Sequence, residues 1–124
     1  MVTYEQICES WETYHAAPCL ASWQALWLLV RDCIGPIITN ALKHDAPIDR
    51  DDIDDATDDA TCAIMERLKV VHYIDAPWIA SRIHWQKAAV VTAYRRHKQR
   101  ASLECQIDHT VIGVDILNRP IDDF

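Results

Sequence analysis

The chain has 124 residues, 50% of them apolar and only two of them glycine, which excludes a disordered polypeptide and leaves room for one modest core. Its formal charge of −7 excludes a general nucleic-acid sponge, but the charge is uneven. Eight of the nineteen acids lie between Asp45 and Asp59, whereas six of the twelve Lys and Arg residues lie between Asp75 and Arg100. Segregation of this kind points to two partners, or to one partner with two faces.

Taken in chain order, Thr3 and Gln6 fit a capping box that starts a first helix, along which Ile7, Trp11 and Tyr14 recur at helical spacing. Pro18 separates it from a second helix that Ser22 could cap. Trp23, Trp27, Val30, Ile34 and Ile38 mark the buried stripe there, and Gly35-Pro36 predicts a kink or break. Lys43 to Asp52 reads as a loop. A third helix is expected from Asp51 or Asp52 to about Val71, with Ile53, Ala56, Ala60, Ile64, Leu68 and Val71 inward and acids at the positive end of its dipole.

The fourth helix is the most distinctive. Asp75 is a good N-cap, Pro77 falls in the first turn, and neither Gly nor Pro interrupts the run to Arg100. Ile79, Ile83, Val90 and Tyr94 form a core stripe. Trp78, Arg82, Trp85, Ala89, Thr92 and Arg96 form another, about 120° away, that mixes rings with cations. A core does not want that mixture. The fold class predicted is therefore all-α: a compact bundle of four to five helices over residues 1–104, followed by a poorly structured extension or linker over 105–124.

Cys8, Cys19, Cys33, Cys62 and Cys105 are odd in number and include no CxxC pair, and no secretory leader precedes them, so free thiols in a reducing cytoplasm are expected. No uninterrupted apolar run approaches the roughly 20 residues of a membrane span, and no membrane association is expected. His15 and Cys19 share metal-ligand spacing, but Pro18 spoils their geometry and a structural zinc site needs four ligands. Asp49 and Asp51 lack the glycine and closing Glu of a calcium loop. No Ser, Cys or His falls in a nucleophile motif. Neither an enzyme nor a cofactor or metal requirement is expected.

The order of these elements resembles region 2 of the sigma-70 family of bacterial RNA polymerase sigma factors. The residues that carry the resemblance are Asp52-Ile-Asp-Asp-Ala-Thr-Asp-Asp59 opening a helix that leads to Met65-Glu-Arg-Leu68, then Pro77-Trp-Ile-Ala-Ser-Arg-Ile-His-Trp85 running into Tyr94-Arg-Arg-His-Lys98. Ala101-Ser-Leu-Glu-Cys-Gln-Ile107 is similar to the phrase that often follows that region. The match covers roughly residues 22 to 108. It departs from the family at Asp58, where a Gln is usual, at Ala60 and Thr61, where bulkier apolar residues are common, and at Ser81 and Arg82, where the aromatic pair that melts promoters would stand.

The resemblance implies that Asp54, Asp55, Asp58 and Asp59 dock on the clamp helices of the largest polymerase subunit. It also implies that Arg82, His84, Trp85, Lys87, Arg95, Arg96 and Lys98 contact the single-stranded, non-template −10 promoter region. Rings stack on unpaired bases and cations follow phosphates. Because no second helix-turn-helix follows, a separate region 4-type partner is expected, and an anti-sigma protein is a further candidate partner. Two other readings stay open: a sigma-like interaction module that binds polymerase or a regulator without reading a promoter, and an unrelated helical bundle.

Overall fold

A computed structural model describes residues 1–44 and 48–110, with side chains described through Arg100 apart from that gap. Among the described residues the chain forms four helices and no strand: α1 (Tyr4–Ala16), α2 (Leu20–Leu42), α3 (Arg50–Val70) and α4 (Ala76–Thr110). The all-α bundle predicted from the sequence is the observed one.

Local chemistry accounts for each start. The Thr3 hydroxyl accepts from the Gln6 N–H at 3.2 Å while the Gln6 side chain accepts from the Thr3 N–H at 2.8 Å, so the predicted capping box is formed. The second helix starts earlier than expected. Cys19, not Ser22, is its N-cap, and Ser22 closes the box by accepting from the Cys19 N–H at 3.2 Å. The Cys19 Sγ accepts from the Ser22 N–H at 3.4 Å, and the bonds from Ser22 draw this thiol below its ordinary pKa. Cysteine is outside the usual set of N-caps, so the sequence favoured the serine three residues on. In α3, Asp49 caps and Asp52 reciprocates, which moves the start to Arg50. Asp75 caps α4 as predicted, its carboxylate accepting from the Trp78 N–H at 2.9 Å.

Two helices run on past positions where the sequence marks a kink, a break or an end. α2 continues through Gly35-Pro36 to Leu42 without a break. A residue before proline is crowded in the α region by the ring's Cδ against its own Cβ, and glycine has no Cβ to crowd. Beyond the proline, Ile38 and Leu42 are fully buried, and about 1.5–3 kcal/mol for each outweighs a local helix defect. Likewise α4 does not end at Arg100 but runs to Thr110, since nothing between Pro77 and Gly113 breaks a helix. The predicted start of the extension at Cys105 therefore falls inside α4, and residues 111–124 lie outside the described residues.

α2 packs on all three other helices, α3 packs on α4, and α1 covers α2 and α4. The core comprises Ile7 and Trp11 of α1; Leu26, Val30, Ile34, Ile38 and Leu42 of α2; Ala56, Ala60, Ile64, Met65 and Leu68 of α3; and Ile79, Ile83, Val90 and Val91 of α4. Leu26 occupies the place expected for Trp23 and Trp27, which are only half-buried. The Trp11 indole N–H donates to the Leu68 carbonyl at 3.1 Å, satisfying an acceptor that the end of α3 leaves without a helical partner. By length and composition α2 is long and apolar enough to cross a membrane, although Arg31 and Asp32 divide its apolar run. In this fold it is the central helix of the bundle.

Candidate acidic face and aromatic–basic face

The acids at the start of α3 serve three different surroundings, because successive side chains of a helix leave it about 100° apart. Asp58 turns toward α2, where the Arg31 Nε donates to its carboxylate at 2.7 Å. The same guanidinium lies 5.9 Å from the centre of the Trp27 ring. Asp59 turns toward α4 and accepts from the Tyr94 hydroxyl at 2.7 Å. Asp52, about two turns earlier on that side, pairs with Lys98 at 3.0 Å. Asp51, Asp54 and Asp55 are exposed and make no side-chain hydrogen bond or ion pair among the described residues.

The electrostatics follow from these bonds. The Asp52 carboxyl is held below the usual carboxylate range, first by the Asp49 N–H and then by Lys98. Burial, then the bond to Asp59, pushes the Tyr94 hydroxyl well above the ordinary tyrosine value, so it remains a donor at any physiological pH. Of the four acids assigned to docking, Asp54 and Asp55 are thus presented outward, while Asp58 and Asp59 are engaged by α2 and α4. Asp51 and Asp52 belong to the same acidic surface. The spacing of charges along the chain could have included them.

The stripes of α4 separate as the sequence predicts. Ile79, Ile83 and Val90 are buried and Tyr94 half-buried, whereas Trp85, Ala89, Thr92 and Arg96 are exposed. The Arg82 guanidinium sits 5.1 Å from the Trp85 ring centre and 5.9 Å from that of Trp78. Trp78 is half-buried against the core, and Trp85, on the outer side of Arg82, is 60% exposed. Trp78, Arg82 and Trp85 therefore make a ring–cation–ring row whose outer ring faces solvent. A cation–π contact here orients the indole while leaving its outward area open. Ser81, also exposed, flanks the row.

The seven cationic and aromatic residues assigned to nucleic acid do not form one surface. Arg82, Trp85 and Arg96 share the outer stripe. His84 is exposed to one side of it, and Lys87 is half-buried. Arg95 instead donates to the Ala41 carbonyl at 3.0 Å, at the C-terminal end of α2, where a cation meets the negative end of the dipole. Lys98 is held by Asp52. Neither tie was visible in the sequence, because the partners are 54 and 46 residues away with no local pattern linking them.

What this arrangement offers chemically is a carboxylate face on α3 suited to a basic surface and a ring–cation row on α4 suited to stacking and phosphate. Among the described residues no group of three His, Cys, Asp or Glu side chains has the geometry to hold a metal ion. A second aromatic stretch lies on α2, where Trp23 and Trp27 stand at the edge of the core rather than in it, with the Lys69 ammonium 5.2 Å from the Trp23 ring. Comparison of the chain with protein-family models, curated proteins and solved structures gave no match.

Proposed function

We propose that the chain is a non-enzymatic transcription-initiation module of the sigma region 2 type, working in the cytoplasm. In this reading α3 docks through its acids on the clamp helices of RNA polymerase. α4 contacts the melted non-template strand of the −10 promoter region through Arg82, Trp85 and Arg96, with His84 and Lys87 beside them, and a separate region 4-type subunit supplies contacts farther upstream. What supports it above all is that consecutive helices carry chemically opposite outward faces, carboxylates on α3 and a Trp–Arg–Trp row on α4. Such a pair suits a protein that must bridge a basic protein surface and an unpaired nucleic-acid strand.

The test is binding of core RNA polymerase to the full chain and to Asp54→Asn/Asp55→Asn. Because both acids are exposed and lack intramolecular partners, their loss leaves the fold intact. It should weaken polymerase binding about three- to tenfold at low salt, the scale of two exposed charge contacts. Equal binding by both proteins would remove the docking assignment.

A second reading is favoured by one observation: Arg95 and Lys98, two of the five Lys and Arg residues assigned to DNA, are used inside the fold. It makes the chain a sigma-like interaction module that occupies polymerase or a regulator without reading a promoter. Polymerase binding without affinity for single-stranded DNA would select it.

A further inference from the structure

We infer that α4 acts as a latch on the acidic face of α3, so that docking of a basic partner and release of the C-terminal half of α4 are coupled; this rests on the docking role proposed above for α3. Asp52, Asp55 and Asp59 recur at helical spacing along the side of α3 that meets α4. α4 holds two of them: Lys98 takes Asp52 at 3.0 Å and the Tyr94 hydroxyl takes Asp59 at 2.7 Å. The third, Asp55, makes no such bond. It lines a cleft of about 410 Å³ together with Asp52, Ala93, Tyr94 and His97.

That cleft gives a Lys or Arg from a partner its foothold at Asp55. From there the incoming cations compete with Lys98 for Asp52 and with Tyr94 for Asp59, since each carboxylate has a limited set of lone pairs to share. Past Lys98, α4 continues by twelve residues, about 18 Å of helix. Loosening the two bonds therefore releases the α3 side of this segment, while Arg95 keeps its bond to the Ala41 carbonyl on the α2 side. Lys98, the one cation of the pair, then becomes available to another anion. Docking and nucleic-acid contact are then linked by shared side chains, and the linkage must act equally in both directions.

The experiment uses the full chain and a synthetic coiled-coil peptide rich in exposed Lys and Arg as the basic probe. Tyr94→Phe keeps the ring and the net charge and removes only the hydroxyl; Lys98→Gln removes the other tie. Each variant should bind the peptide several-fold tighter than the unaltered chain, and the two together about tenfold tighter. Arg100→Gln, an exposed residue that ties no acid, makes the same charge change as Lys98→Gln and should shift affinity by less than about twofold. Peptide binding to the unaltered chain should also speed amide hydrogen exchange over residues 93–100. If the peptide binds the unaltered chain and Tyr94→Phe with equal affinity, or binds the variant more weakly, the latch is refuted and docking survives. Absence of binding by every form refutes docking itself and the latch with it. Should Tyr94→Phe fail to fold, the comparison of Lys98→Gln with Arg100→Gln decides.

Discussion

Truncation of Trp85 to alanine separates a functional ring from a structural one. The side chain is 60% exposed, so the smaller part of its area is removed from water on folding, and the Arg82 guanidinium lies 5.1 Å from its ring centre. An exposed cation–π pair contributes about 0.5–1 kcal/mol and burial of the covered part of the indole about 1.5–2.5 kcal/mol, so truncation should cost about 2–3 kcal/mol of stability. For binding, stacking of an unpaired base on an aromatic ring is worth about 1–3 kcal/mol, or about 5- to 150-fold in affinity. Trp85→Ala should therefore bind a fluorescent single-stranded oligonucleotide at least fivefold more weakly in an anisotropy titration run well below its lowered thermal midpoint. Repeating the titration across salt concentrations counts the cations involved. With Arg95 and Lys98 held inside the fold, Arg82, Lys87 and Arg96 remain, and three phosphate contacts give a log–log slope of about −2, against about −3.5 for all five. Binding by Trp85→Ala within twofold of the unaltered chain would refute the stacking role. A slope near −3.5 would refute the partition of the cations.

Pro36→Ala should raise stability by about 2 kcal/mol. It restores an N–H to the interior of α2 for the Asp32 carbonyl and relieves the ring's clash with it, offset by the greater freedom of the unfolded chain; a lower urea midpoint than the unaltered protein would contradict this. Tyr94 predicts an alkaline transition. Its folded value is raised, so the neutral hydroxyl contributes its full stabilisation below about pH 10, the unfolded value, and loses it as pH rises beyond. Urea midpoints at pH 9 and pH 11 should fall more for the unaltered chain than for Tyr94→Phe, and equal falls would count against the Tyr94–Asp59 bond.

The features legible in the sequence are those decided within one or two helical turns. Thr3 with Gln6 and Asp75 with the Trp78 N–H are contacts three residues apart, and they form as read. The two stripes of α4 are likewise a matter of periodicity, and burial divides them at the expected positions. Where a local rule met a tertiary one, the tertiary one prevailed. Gly35-Pro36 signals a kink or break, but Ile38 and Leu42 lie beyond it in the core, so the helix continues unbroken. The Cys19 cap escaped notice for a different reason: a thiol is an uncommon acceptor, and the serine three residues later is a familiar one.

The candidate site was legible in kind but not in allocation. Composition along the chain marks α3 as acidic and α4 as basic, and both helices carry those charges outward. No local pattern says which charges face each other. α3 and α4 pack together, so the acids on one side of α3 necessarily meet the polar residues flanking the core stripe of α4; the rotation of the two helices then selects Asp52 with Lys98 and Asp59 with Tyr94. Charge segregation in the sequence thus has two consequences in the fold. Across the α3–α4 seam it supplies the attraction that aligns the helices, and away from the seam it leaves Asp51 and Asp54 on one surface, with Asp55 unpaired at the seam's edge, and Arg82 with Arg96 on another. A reading that assigns every charge to an external partner overcounts both interfaces, and the overcount falls on the residues nearest the seam.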